Sequence, residues 1–150
     1  MKAKEIMTTP VLAVEETDRA QHAVEIMADN DISGLPVVNG REELVGIVTE
    51  RDLLLLDQQE PPMMKTALYG LWITPLHLIE QDAKWRGLAV KDVMTRNVIT
   101  FGPEDKVIDI AKAMHDKDIN RVPIMDGGKI VGIISRKDII RAMAKGLSLE

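Results

Sequence analysis

The chain says nearly the same thing twice. Lys4-Glu5-Ile6-Met7-Thr8 returns as Lys91-Asp92-Val93-Met94-Thr95, and Ile32-Ser33-Gly34-Leu35-Pro36-Val37 returns as Ile119-Asn120-Arg121-Val122-Pro123-Ile124. Val45-Gly46-Ile47-Val48-Thr49-Glu50-Arg51-Asp52 returns as Val131-Gly132-Ile133-Ile134-Ser135-Arg136-Lys137-Asp138. The offset is 87 residues from Met7 to Met94 and 86 from Gly46 to Gly132, so one residue is lost in between. A duplicated unit normally packs against its twin. One copy of roughly 50 residues would bury too little surface to be stable alone. The 150 residues therefore predict one module with equivalent clefts where the copies meet.

Each copy reads as β-α-β-β-α. Short apolar strands are predicted at Val11–Val14 and Val98–Phe101. Acidic residues follow, at Glu16-Thr17-Asp18 and Gly102-Pro103-Glu104-Asp105, where a first helical turn favours negative charge. Ala20, Ala23, Val24 and Met27 stand at i, i+3, i+4, i+7, and Val107, Ile110, Ala111 and Met114 repeat that stripe, one buried face per helix. Leu35–Val38 and Val122–Met125 read as second strands, and their prolines suggest an edge or a strand beginning. Asn39-Gly40 and Asp126-Gly127 mark hairpins. Third strands at Leu44–Thr49 and Ile130–Ser135 are apolar enough to be covered on both faces. Final helices start at Glu50 and Arg136. The expected division is 1–56 for the first repeat, 57–90 for a connector packed on the module, and 91–150 for the second repeat. Within the connector, Leu71, Pro75, Leu78 and Ile79 suggest a helical piece.

Charge and composition narrow the function. A net charge of −5 argues against a general nucleic-acid binder, which needs a basic face to displace counterions. With no cysteine, disulfides and thiolate chemistry are excluded. No apolar run reaches spanning length, and the start of the chain lacks the apolar stretch of a signal peptide, so a cytoplasmic location is expected. His22, His77 and His115 share no metal spacing, and no catalytic constellation or phosphate-binding Walker loop is visible.

The strongest candidate chemistry lies at Gly46-x-x-Thr49-x-x-Asp52 and Gly132-x-x-Ser135-x-x-Asp138. Two readings stand side by side. Ser/Thr-x-x-Asp approximates a capping box, in which the hydroxyl and carboxylate satisfy free amides at a helix start. The same groups can serve a nucleotide. A helix N-terminus with a hydroxyl holds phosphate, an Asp accepts from a ribose diol, and a strand glycine admits a ligand to the backbone.

The order of elements, the Asp92-Val93-Met94-Thr95 opening, the Leu35-Pro36-Val37-Val38 strand and the doubled Gly-x-x-Thr/Ser-x-x-Asp resemble the cystathionine-β-synthase (CBS) domain, and two copies resemble a CBS pair, or Bateman module. The resemblance implies an α+β fold with two repeats related by a pseudo-two-fold axis. It also implies a non-catalytic regulatory module holding an adenine nucleotide (AMP, ADP, ATP or S-adenosylmethionine) between the repeats as a regulatory ligand, with no obligatory cofactor. By the family's pattern, Asp138 would take the ribose hydroxyls, Ser135 would face phosphate, and Thr100 and the backbone at Val122-Pro123 would hold adenine. Arg121 would meet phosphate, with Arg136 adding positive charge. Ile99, Val122 and Ile134 would sandwich the base. In the first repeat Thr49 and Asp52 match and Arg51 reaches toward phosphate, whereas Ala13 and Gly34 depart from the pattern, which puts that site in doubt. The family also implies a homodimer. Because the chain is almost nothing but the paired repeat, its output is expected in trans on a protein partner. Its hydropathy and acidic charge leave membrane and nucleic acid out of the expectation. A scaffold or dimerisation module without a ligand is the alternative, and the departures at Ala13 and Gly34 are what it predicts.

Overall fold

The computed structural model describes residues 1–58, 67–68, 71–72 and 87–150. The first copy contains β1 (Val14–Glu15), α2 (Ala20–Asn30), β2 (Gly34–Val38), β3 (Leu44–Thr49) and α3 (Glu50–Gln58), preceded by a one-turn helix α1 (Ala3–Ile6). A two-stranded hairpin, β4 (Ala67–Leu68) with β5 (Leu71–Trp72), follows. The second copy contains α4 (Val90–Val93), α5 (Val107–Lys117), β6 (Arg121–Asp126), β7 (Lys129–Ser135) and α6 (Arg136–Ala144). Leu71 thus lies in a strand and not in the helical piece expected of it; Pro75, Leu78 and Ile79 lie outside the described residues. No helix among the described residues is long and apolar enough to cross a membrane.

The predicted helix stripes form the cores. Ala20, Ala23 and Met27 of α2 are buried against Leu35, Val37 and Val48, and Val107, Ile110 and Met114 of α5 against Val122, Ile124 and Ile134. The acidic residues ahead of these helices do a different job from the one expected. Asp18 Oδ2 accepts from the amide of Glu15 at 2.9 Å, and Asp105 Oδ2 from that of Gly102 at 2.6 Å. They close turns before the helices begin at Ala20 and Val107.

The first strands are much shorter than predicted. β1 pairs with β2 in parallel only at Val14↔Val37 and Glu15↔Val38, and in the second copy a single parallel bridge joins Phe101 to Ile124. This explains the prolines. The carbonyl of Pro123 faces the first strand and accepts from the amide of Phe101 at 3.1 Å, so the missing proline donor points to the side where that strand runs out. The two hairpins differ by one residue. Gly127 and Gly128 both have positive φ and form the two-residue turn between paired Asp126 and Lys129, the geometry that two such glycines favour. In the first copy Gly40-Arg41-Glu42 makes a three-residue loop, Glu42 takes the left-handed position at φ 62°, and Asn39 Oδ1 accepts from Arg41 and Glu43. That loop is the source of the change in offset.

The two copies exchange their opening segments. Ala3 of α1 is fully buried in the core of the second copy, and Thr8 is hydrogen-bonded in both directions to Ile133 of β7. Reciprocally, Val90 of α4 and Met94 are buried in the core of the first copy, and Thr95 exchanges bonds of 2.8 and 2.9 Å with Ile47 of β3. The strand glycines explain themselves here. A Cβ at Gly132 would collide with Met7, and a Cβ at Gly46 would lie 2.6 Å from Met94 Sδ and 2.9 Å from the carbonyl of Thr95. The glycines make room for exchanged methionines, where a ligand had been expected to approach.

The exchanged N-terminal segment is also tied electrostatically. Lys2 and Lys4 each reach Glu104 at 2.5 Å. Hydrogen bonds from Lys2 and then Lys4 pull the Glu104 carboxyl down to about 2. A carboxyl depressed on folding adds stability above its unfolded value and loses it as pH falls through the folded one. The difference in melting temperature between wild type and Glu104→Gln should therefore be present at neutral pH, shrink below pH 4.5 and disappear as pH falls through about 2. The pair is exposed, so added salt should shrink the difference as well.

Candidate functional site

Two hollows lie where the copies meet, and each draws on both. The larger, about 530 Å³, is bounded by Ser135 and Asp138 at the start of α6, by Ile133 of β7, by the exchanged Thr8, and by Leu12, Ile32 and Ser33 of the first copy. The smaller, about 330 Å³, places Thr49 and Asp52 at the start of α3 with Ile47 of β3, the exchanged Thr95, and Val98, Ile99 and Ile119 of the second copy. Both volumes fall within the usual range for small-molecule sites.

The capping box and a carboxylate at the hollow's edge coexist. Asp138 Oδ2 accepts from the Ser135 amide at 2.8 Å and its hydroxyl at 3.0 Å, which closes the cap of α6. Asp138 Oδ1 faces Thr8 Oγ1 at 3.4 Å and Arg141 Nη1 at 3.6 Å. The first copy repeats this: Asp52 Oδ2 accepts from the Thr49 amide and hydroxyl at 2.9 and 3.1 Å, and Asp52 Oδ1 accepts from Thr95 Oγ1 at 3.2 Å. One carboxylate oxygen holds the helix start and the other meets the exchanged threonine, and both residues border their hollows. Thr8 and Thr95 are contributors that sequence reasoning missed. The signal was available, since Met-Thr occurs at the same place in both copies.

Several expected positions move. Thr100 is exposed and borders neither hollow; pairing it with Asp138 is corrected. Its segment passes the other hollow, which Val98 and Ile99 line together with Asp52, while the segment that reaches the Asp138 hollow is the one carrying Leu12. Val122 and Ile134 are fully buried in the second core and Pro123 is fully buried as well, so the expected sandwich of Ile99, Val122 and Ile134 does not form. Alternate strand residues face opposite ways, and the neighbour, Ile133, is the one in the hollow. This also corrects the expectation that the third strands are covered on both faces: Val48 and Ile134 face the cores, and Ile47 and Ile133 face the clefts.

The cations have different partners. Arg136 donates Nε to the Ile119 carbonyl at 3.0 Å and Nη2 to the Met114 carbonyl at 3.1 Å, finishing the C-terminal end of α5, and it reaches Asp118 at 3.5 Å. Arg51 reaches the same Asp118 at 4.0 Å. Arg121 pairs with neither Asp116 nor Asp118. It donates Nη2 to Ser33 Oγ across the copy boundary and borders both hollows. Burial pulls its guanidinium below the ordinary value, while the charges of Glu50 and Asp52 push the other way; it remains a cation. Among the described residues no group of three or more His, Cys, Asp or Glu could hold a metal ion.

Arg121 also accounts for Gly34. These are equivalent positions in the repeat, and they touch: a Cβ at Gly34 would lie 2.5 to 2.7 Å from the Arg121 guanidinium. The two equivalents face each other across the copy boundary, and a side chain at 34 would press on the Arg121 guanidinium. Gly34 is the bed on which Arg121 lies. Gly34→Ala should therefore displace a flexible side-chain end, leaving the melting temperature within a few degrees of wild type. It should abolish any preference for a phosphorylated over an unphosphorylated ligand. Calorimetric titration with AMP and adenosine checks this; an unchanged preference would show that the guanidinium had not moved.

A duplicated α+β unit whose paired clefts are each closed by a Ser/Thr-x-x-Asp helix start defines a tandem-repeat cleft module. The chain belongs to the CBS-domain family: the model of the CBS domain matches twice, over residues 3–58 and 90–145, and the two matches form a tandem CBS pair. The uncharacterized protein MJ1426 of Methanocaldococcus jannaschii is 32% identical over 95% of this chain and 91% of its own length. The chain spans about half the length of several other curated relatives it matches. Among solved structures, the CBS domain of a CBS-domain-containing membrane protein from Sphaerobacter thermophilus is 32% identical, with a TM-score of 0.72 over 100% of this chain and 90% of that one. CBSX2 in complex with AMP, a protein of Arabidopsis thaliana, is 25% identical, with a TM-score of 0.73 over 96% of both chains.

Proposed function

We propose that this chain is a non-catalytic sensor that binds an adenine nucleotide in the hollow bordered by Asp138 and acts in trans on a partner. The observation that carries the reading is that Asp138, Ser135 and Arg121, chosen for ribose and phosphate, border one hollow of about 530 Å³. Leu12, Ile32 and Ile133 supply its apolar wall for a base. The AMP complex of CBSX2, similar over nearly the whole chain, supports AMP as the first ligand to try; ADP, ATP and S-adenosylmethionine share the adenosine that Asp138 would hold. Binding regulates only if one arrangement of the module is preferred by the ligand. Self-association supplies such an arrangement. Ile140 and Met143 on α6 are 62% and 54% exposed, and Leu54, the equivalent of Ile140 on α3, is 57% exposed, which supports a homodimer through these helices.

Thermal unfolding with the four nucleotides tests the reading. A ligand at a hundred times its Kd adds about 2.7 kcal/mol, which for a chain of this size raises Tm by roughly 5–10 °C. Asp138→Ala should lose most of the AMP shift and Asp52→Ala little of it. No shift with any of the four would favour the ligand-free scaffold, and equal losses would show that the two hollows had been ranked wrongly.

A further inference from the structure

The two hollows are copies in sequence but not in charge. Around the larger stand Arg121, Arg136, Lys137 and Arg141 against Asp31 and Asp138. Around the smaller stand Arg51, Lys117 and Arg121 against Glu50, Asp52 and Asp118. The difference is sharpest at the helix starts. Where α6 begins with Arg136, α3 begins with Glu50. A carboxylate in the first turn already answers the positive end of the helix and repels the phosphate such an end would otherwise hold. Arg51 and Lys117 also border the smaller hollow, and Arg51 reaches Asp118 at 4.0 Å as Arg136 does at 3.5 Å. The exchange of Arg136 for Glu50 is therefore what separates the two charge balances. The one cation common to both hollows, Arg121, is not matched by a second, because its equivalent is Gly34, where even a Cβ would press on the Arg121 guanidinium.

We propose that the two hollows sort adenosine compounds by charge: the Asp138 hollow takes a phosphorylated one, and the Asp52 hollow takes an unphosphorylated nucleoside. The Asp52 hollow keeps what a neutral nucleoside needs. Asp52 Oδ1 borders it beside Thr95, and Ile47, Val98, Ile99 and Ile119 give the base an apolar wall. A phosphate monoester brings between one and two negative charges. With one AMP beside Arg121, a second would meet Glu50, Asp52 and Asp118 with only Arg51 and Lys117 to offset them, the shared cation being already engaged. The module would then read two signals together, the level of a nucleotide and that of its dephosphorylated form. This inference rests on the Asp138 hollow being the nucleotide site.

Calorimetric titration of the full chain tests it. Wild type should bind one equivalent of AMP, with any second event weaker by more than about tenfold, or roughly 1.4 kcal/mol. Adenosine titrated into AMP-saturated protein should bind a further equivalent, and Asp52→Ala should remove that event while leaving AMP binding in place. Glu50→Arg, which copies the arrangement α6 already has at Arg136, should turn the smaller hollow into a second AMP site. Two AMP equivalents of matching affinity in wild type, adenosine that only competes with AMP, or a Glu50→Arg variant still limited to one AMP would each overturn the proposal. A wild type that binds no AMP at all sinks the nucleotide reading itself. One AMP without additional adenosine sinks the charge sorting alone.

Discussion

Arg121→Ala should weaken AMP binding by roughly ten- to a hundredfold while adenosine binding changes little. A hydrogen bond from a charged donor contributes about 1.5–3 kcal/mol, and each 1.4 kcal/mol is about tenfold in affinity. The guanidinium is held at the copy boundary by Ser33 and by the open surface of Gly34, so it is positioned before any ligand arrives. Its loss leaves only the Ser33 hydroxyl without that donor, in a partly exposed place, so the protein should still fold. Arg121→Lys should fall between the two, because an ammonium keeps the charge and loses the planar fork. The salt dependence of AMP binding should flatten in Arg121→Ala. Equal losses for AMP and adenosine would assign Arg121 to the architecture of the cleft and remove its phosphate role.

Gly132→Ala should cost about 1–3 kcal/mol, the usual range for overfilling a packed site, and lower Tm by roughly 3–10 °C. The three atoms nearest an added Cβ all belong to Met7. Met7→Ala removes two of them, Sδ and Cγ, so the double variant should recover part of the loss. Gly46→Ala should behave differently. One of its close neighbours is the Thr95 carbonyl at 2.9 Å, which is bonded to Ile47 and cannot withdraw without breaking that pair. Met94→Ala should therefore rescue less at Gly46 than Met7→Ala does at Gly132. Equal rescue would mean that backbone and side chain yield alike.

The elements were legible because they rest on local periodicity. The i, i+3, i+4, i+7 stripes of α2 and α5 and the apolar runs of β3 and β7 were visible in single segments. The carboxylates were legible too, since Thr49-x-x-Asp52 and Ser135-x-x-Asp138 needed only their own helix. What failed depended on which copy a segment touches. Thr100 was assigned to the cleft of its own copy, but the strand before Phe101 borders the other one. Gly46 and Gly132 look like room for a ligand until Met94 and Met7 are seen to cross over. Gly34 reads as a decayed binding position until Arg121 is found lying on it. A one-residue choice of strand face decided between Ile133 and Ile134, and an all-apolar strand offers no alternation from which to read that choice.

The crossing-over of Ala3 and Val90 between the cores has a thermodynamic consequence. Loosening either core should release a piece of the other, so neither should come apart while its twin stays intact. Heating should then produce a single calorimetric transition whose measured enthalpy matches the value inferred from its steepness. A mutation buried in one copy should soften amide-exchange protection in both. Two hydrophobic interiors would behave, in cooperative terms, as one.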